Sequence, residues 1–416
     1  MTSAKYVEVH NERMSDSGPI PVTVLSGSLG AGKTTTLNHV LNTEGELNAA
    51  VVVNDMGEVN VDAGLVEEQS ALSQANEEII ELSNGCICCR LRGDMLDQVG
   101  ELAEQRDFEY LLVESSGISE PIPVAQTFAR GFEHVDFDPT GVYDLDTMVS
   151  VVDAYNFWQA FDSGNALTDE GVAPDDMRVP EEVLMDQIEF CDVLVLNKCD
   201  LVPDDELDEI EAVLSTLQPS AEIVRTEHGR IDPSTILDTG RFDFERASQS
   251  AGWMAELEEG HDHEDAAAEH GVTSFVYREN RPFHPERIAA YLPELPDDVI
   301  RAKGSFWVAG QEEVAMGMDK AGRSVRAGPS RRWLASLPEA QQERYLEAYP
   351  EFRETWDETW GDRGIELVFI GRSLDEAAIV EALDECLLTD DEMTDNWTAY
   401  PNPFAPDERE LAIADD

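Results

Sequence analysis

"GSLGAGKT", Gly27 to Thr34, decides how this chain folds. It satisfies the pattern G-x-x-x-x-G-K-[ST]. An apolar run, "PVTVLS" at 21–26, precedes it, and Leu37, Val40 and Leu41 follow at helical spacing. A strand, a glycine-rich turn and a helix in that order make a phosphate-binding loop. The three glycines, Gly27, Gly30 and Gly32, let the backbone wrap closely. The N–H groups of the loop, through Ser28, Leu29 and Ala31, can then converge on an anion at the helix N-terminus. Lys33 supplies a compact charge for the β- and γ-phosphates. The Thr34 hydroxyl suits Mg²⁺, and Thr35 continues the first helical turn beside the phosphates.

Outward from this loop, apolar runs alternate with helical patterns: "AAVVV" (49–53), "YLLV" (110–113), "MVSVV" (148–152), "DVLVL" (192–196) and "AEIV" (221–224). Most are too continuous for burial on one face only, so they read as strands covered on both sides. Strands alternating with helices predict an α/β fold with a doubly wound, mostly parallel sheet. Two of these strands end in further chemistry. "NKCD", Asn197 to Asp200, follows "DVLVL". The Asp200 carboxylate can accept from both guanine donors, the ring N–H and the exocyclic amine. Adenine lacks that ring donor, so an adenine would leave a buried acceptor unpaired. The Lys198 stem can lie along the base. The sequence therefore favours GTP over ATP. "LLVESSG" puts Glu114 at a strand end, where such folds hold a carboxylate near Mg²⁺. Gly117 follows three residues later, where the γ-phosphate is sensed.

Between the phosphate loop and Glu114 lies "SNGCICCRLRGDM", with Cys86, Cys88 and Cys89 in four positions; the chain has six cysteines in all. A tight cluster in a chain without a disulfide framework points to metal or to redox chemistry. Three thiolates suit a soft or borderline ion, Zn²⁺ by default, and leave one coordination position open. A thiol redox sensor and three inert thiols are the alternatives. Cys191, Cys199 and Cys386 are scattered and read as core packing.

Composition narrows the partners. There are 88 acidic against 28 basic residues, a formal net charge of −60, with the acids spread along the whole chain. This argues against nucleic acid and suits a halophilic, high-salt cytoplasm. No stretch resembles a membrane span, and the N-terminus lacks a signal peptide's apolar core, so a cytoplasmic location is expected. Only five of the 28 basic residues are lysine. Where lysine is this scarce, a retained one points to a task arginine cannot perform.

The order of motifs resembles the CobW-type family of metal-chaperone GTPases, relatives of the urease and hydrogenase nickel-insertion GTPases. The stretches that carry the likeness are "GSLGAGKTTTLNHVL", "VVNDMGEVNVDAGLV", "ELSNGCICC", "ESSGISEP", "VSVVDAYNF" and "VLNKCDL". In the second half they are "RPFHPERI", "IRAKGSFWVA" and "GDRGIELVFIGRSLD". The resemblance implies that Cys86, Cys88 and Cys89 form a C-x-C-C metal motif. It places Glu58 and Asp62 at acidic positions of the first switch segment, Glu58 as a further ligand of the carried metal and Asp62 toward Mg²⁺. It also implies GTP hydrolysis, delivery of Zn²⁺ or Co²⁺ to a metal-requiring client protein, and dimerisation. Where the family carries Asn-Glu-Phe-Gly, this chain has Asn54, Asp55, Met56 and Gly57. Of the long histidine tract in many members, only His261, His263 and His270 remain. The expected organisation is a polar arm (1–20), a GTPase domain (21–250), an acidic linker (251–271), a smaller α+β domain (272–390) and a polar tail (391–416). In the α+β domain the strands are expected at 272–277, 304–309 and 365–370, and the helices at 284–292 and 374–388.

Overall fold

The computed structural model describes residues 18–43, 47–54, 79–82, 99–100, 102–103, 108–130, 137–162, 179–259, 270–353 and 356–404. Seven strands form the first sheet: β1 (Ile20–Ser26), β2 (Ala49–Asn54), β3 (Ile79–Leu82), β4 (Tyr110–Glu114), β5 (Tyr143–Asp153), β6 (Val193–Asn197) and β7 (Glu222–Arg225). Their order is β3-β2-β4-β1-β5-β6-β7, and every pairing is parallel. The continuous apolar runs are explained by cores on both faces. Val22, Val24, Val52, Leu111 and Val113 face helices Pro121–Ala129, Pro180–Glu189 and Asp204–Leu217. Leu25, Val51, Val53, Leu112 and Val195 face helix Lys33–Thr43 and Ile231, Ile236 and Leu237. Strand order reverses at β1, so the loop after it opens at the switch point where such sheets bind ligands. At the far edge β7 is short and charged, which discourages pairing with another chain.

The second sheet has five strands: β8 (Val272–Glu279), β9 (Val299–Phe306), β10 (Val314–Ala321), β11 (Ser324–Arg332) and β12 (Ile365–Arg372), in the order β11-β10-β9-β12-β8. The pairings are antiparallel. Alternation splits its residues between two cores. Phe275, Tyr277, Leu367 and Phe369 pack under helices Pro285–Tyr291 and Glu376–Cys386. Val272, Val368 and Ile370 turn the other way and join the core of the first sheet. The two domains thus share apolar packing.

Several expectations need correction. The strand expected at 304–309 runs from Val299 to Phe306, and Trp307 to Ala309 lie beyond it. The hairpin β10–β11 and helix Glu339–Ala348 were not foreseen. The acidic stretch expected as linker begins with a helix, Gly252–Glu259, because Trp253 and Leu257 give it an apolar side that packs on the shared core. The expected tail is structured as far as residue 404. Trp397 is buried among Trp307, Trp333 and Leu388 and anchors it. Among the described residues no helix is long and apolar enough to cross a membrane.

Candidate active site

The loop after β1 takes the shape its glycines allow: Gly27, Gly30 and Gly32 all have positive φ. At Gly32 a Cβ would also stand 2.2 Å from the Asn197 amide nitrogen, so glycine is the residue that fits. Helix Lys33–Thr43 starts directly after it with no acidic residue in its own first turn, so the positive end of its dipole faces the loop. Lys33 is buried, and its Nζ donates to the carbonyls of Gly27 (2.9 Å) and Ser28 (3.2 Å), lying across the mouth of the loop. Ser28 is half-buried, Ala31 is buried, and Leu29 and Thr35 are exposed.

Thr34 Oγ1 donates to Glu114 Oε1 at 2.7 Å, joining the helix start to the end of β4. Glu114 is 2% exposed. A hydroxyl and a buried carboxylate side by side are hard oxygen donors of the kind Mg²⁺ takes, so these residues fit that ion. Ser115 is tied to β1, its N–H donating to Leu25 O at 2.9 Å, and Gly117 follows in the turn.

Asn197 connects the two halves of the site. Its Nδ2 donates to Ala31 O (2.8 Å) and its Oδ1 accepts from Gly229 N–H (3.0 Å), so the phosphate loop, the "NKCD" segment and the loop after β7 share one buried amide. Lys198 takes a left-handed φ of 64°, and its Nζ donates to Asp153 Oδ2 at 2.7 Å. Asp153 in turn accepts from the N–H groups of Tyr155 and Asn156 and from the Asn156 amide. Asp200 is the outermost member, with His228 Nε2 at 3.9 Å from its carboxylate. The sequence reading missed Asp153, His228 and Gly229. A lone aspartate closing the run "MVSVVD" before a turn was the available signal for Asp153.

Cys86, Cys88, Cys89, Asp55, Glu58, Asp62, His261 and His263 lie outside the described residues. His270 is exposed in the turn before β8. Among the described residues no cluster of three or more His, Cys, Asp or Glu side chains could hold a metal. Cys191 and Cys386 are buried and Cys199 half-buried. Loss of water raises the thiol of each, that of Cys386 to about 11, so these three are poor metal ligands at neutral pH.

A phosphate loop at the switch point, a hydroxyl–carboxylate pair beside it and the "NKCD" segment locked to it through one asparagine are the arrangement of a P-loop GTP hydrolase. The chain belongs to the CobW family of such proteins. The CobW/HypB/UreG nucleotide-binding domain matches residues 21–225, and the C-terminal domain of the cobalamin synthesis protein cobW matches 272–387. "Zinc-regulated GTPase metalloprotein activator 1" of Dictyostelium discoideum is 38% identical over 96% of this chain and 87% of its own length. "Zinc chaperone YjiA" of Escherichia coli (strain K12) is 27% identical over 87% of this chain and 96% of its own. The crystal structure of Zn(II)-bound YjiA GTPase from E. coli covers 89% of this chain and all of its own at 21% identity and a TM-score of 0.40, too loose a likeness to inform the site.

Proposed function

We propose that this GTPase is a metallochaperone: it binds a divalent metal, zinc, at Cys86, Cys88 and Cys89 and releases it to a metal-requiring client protein when GTP is hydrolysed. In this reading Lys33 and the loop N–H groups hold the phosphates. Thr34 and Glu114 serve Mg²⁺, with Asp62 toward the same ion. Gly117 senses the γ-phosphate, and Asn197, Lys198 and Asp200 hold and select guanine. Glu58 or a client group completes the metal site. The names of the relatives, a zinc-regulated GTPase activator and a zinc chaperone, favour zinc over cobalt.

One observation carries the coupling. Strand β3 ends at Leu82, paired with Asn54 of β2, at the same edge of the sheet as Glu114. It lies two strands from β4, about 10 Å at ordinary strand spacing. Cys86 follows only four residues after Leu82, a span of at most about 14 Å. The cysteine motif therefore begins within reach of the groups that would register the γ-phosphate.

The test is a Zn²⁺ competition titration of the full chain, in high salt, loaded with GDP or with a non-hydrolysable GTP analogue. The metal affinities of the two forms should differ at least tenfold. The nucleotide affinities should differ by the same factor when metal is added, because coupling is reciprocal. The Cys86→Ser, Cys88→Ser, Cys89→Ser triple variant should lose the site. Equal affinities in both nucleotide forms would sink the coupled reading and leave a thiol site that merely shares the chain.

A further inference from the structure

We infer that Gln187 is a positioning residue for GTP hydrolysis, and that helix Pro180–Glu189 makes hydrolysis depend on how the C-terminal sheet is seated. The inference rests on the site reading above, in which the turn after Glu114 faces the γ-phosphate. Gln187 is fully buried, and its Nε2 donates to the carbonyl of Ser119 at 3.0 Å. Ser119 closes the turn that carries Gly117: its N–H donates to Ser116 O (3.0 Å) and its hydroxyl to Ser116 Oγ (3.1 Å). Gly117 itself rests on the phosphate loop. A Cβ there would stand 2.6 Å from the Leu29 nitrogen, so the turn and the phosphate loop are in backbone contact. Whatever moves Ser119 therefore moves the wall of the nucleotide site. The other amide atom of Gln187, Oε1, is buried without a hydrogen-bond partner among the described residues. A spare buried acceptor costs stability, so its presence beside this turn calls for a role.

The same helix is gripped from the opposite side. Glu182 and Glu189 are seven residues apart and fall on one face, whereas Gln187 lies roughly 150° around from them. Glu182 accepts from Ser324 Oγ at 2.9 Å and pairs with Arg326 at 2.5 Å, both on β11. Glu189 receives Arg301 of β9 through two bonds, Nε to Oε1 at 2.6 Å and Nη2 to Oε2 at 2.8 Å. A register shift in the β9–β12 ladder makes this possible. Ile370 pairs with Arg301 and Gly371 with Val299, so Ile300 is an extra residue that turns Arg301 toward the first domain. Arg301 also pairs with Asp319 at 2.5 Å and is 1% exposed. A buried bidentate pair holds one geometry and tolerates little slack. A rotation of the C-terminal sheet therefore rolls the helix and draws Gln187 along the carbonyl of Ser119.

The experiment measures single-turnover and steady-state GTP hydrolysis by the full-length protein and its variants, with thermal unfolding as a control for folding. Gln187→Ala should lower kcat roughly ten- to a hundredfold and leave KM for GTP within about twofold, the signature of an interaction spent on the transition state. Gln187→Glu replaces the donor by a carboxylate facing a carbonyl. Its rate should recover as pH falls and the carboxyl gains a proton to donate, a profile that loss of packing alone would not produce. Arg301→Gln should lower kcat by about three- to tenfold without touching nucleotide, and Gln187→Ala with Arg301→Gln should be no slower than Gln187→Ala alone. Folded Gln187→Ala with kcat within twofold of the parent would overturn the inference, and independent, multiplying effects would overturn the link to the C-terminal sheet. A parent protein that hydrolyses no GTP would instead overturn the reading of the site.

Discussion

Two regions of this molecule bury charge, and they do so to different ends. At the carboxyl edge of the parallel sheet, Lys33, Glu114 and Asp153 sit beside loops that reach solvent through exposed Leu29 and Asp200. At the seam between the domains, buried Glu189 and Arg301 close on each other, with half-buried Asp319 against the same guanidinium. Burial alone would lower the Arg301 guanidinium, but the Glu189 and Asp319 carboxylates against it raise it well above its ordinary value. The edge holds charge ready for a partner from outside; the seam completes its charge from within. Changes at the edge should therefore cost function and spare stability, and changes at the seam should act first on stability and reach hydrolysis only through Gln187.

The largest effect expected at the edge is on base choice. Asp200→Asn should weaken GTP binding by roughly a thousandfold or more and admit xanthosine triphosphate, whose carbonyl matches an amide donor. Equilibrium binding of both nucleotides checks this, with the unfolding midpoint unmoved. Retained GTP preference would show that the edge does not read guanine through this carboxylate.

Next in size is Lys33→Ala, which should reduce kcat by about 10² to 10³ through lost charge stabilisation at the transferring phosphate. Phosphate-release kinetics measure it. Near-normal turnover would remove the distinction drawn above, since Lys33 would then be holding only its own loop.

The smallest effect belongs to the seam and has the opposite sign. Asp186, on the helix face beside Glu189, is pushed up to about 6, first by burial and then by that neighbouring carboxylate. A raised carboxyl favours the folded state in full below its ordinary value of 3.8 and loses that advantage as pH rises through about 6. Above pH 6 the folded protein thus carries an ionised Asp186 at a cost. Asp186→Asn should stabilise the protein by on the order of 2 kcal/mol at pH 8 and flatten the loss of stability between about pH 4 and 6. Denaturant melts across that range test it, and GTP binding should not change. A destabilised variant at pH 8 would mean that Asp186 supports the seam in its charged form.

What could be read from sequence follows the same division. "GSLGAGKT" and the apolar runs are local patterns whose period is set by burial on both faces, so the parallel sheet and the loops at its edge were legible. The hairpin β10–β11 was not, because "VAMGMDKAGRSVRAGPSRR" is rich in glycine, alanine and arginine and lacks a strand's apolar alternation. Helix Gly252–Glu259 has a short apolar start, Trp253 to Ala255, and then only Leu257 among three glutamates. Glu189 and Arg301 meet across 112 positions, and nothing within either neighbourhood announces the other. The bulge at Ile300 that turns Arg301 inward is a property of the β9–β12 ladder and appears only once the strands are paired. Asn197 stood out in sequence as part of the "NKCD" motif, but its grip on Ala31 and Gly229 is a matter of tertiary placement.

The scarcity of lysine turns these two regions into a built-in pair of reporters. Of the four lysines among the described residues, Lys33 and Lys198 stand at the edge, Lys303 at the seam, and Lys320 at the end of β10. Lys303 pairs with Asp319 and lies over Trp253, whereas Lys320 is 2% exposed, donates to Gly322 O and is brought down to about 8 by burial. An amine-reactive label thus meets two kinds of target. On the proposed reading of the site, bound nucleotide should increase the protection of Lys198, which is half-buried, more than that of Lys33, which is already buried. Lys303, held by Asp319 and by Trp253 of helix Gly252–Glu259, should gain reactivity when the domains part, whereas Lys320 should stay shielded until its own hairpin opens. Mass spectrometry of a single labelled sample can therefore follow ligand binding and domain separation side by side, with little interference from the rest of this acidic surface.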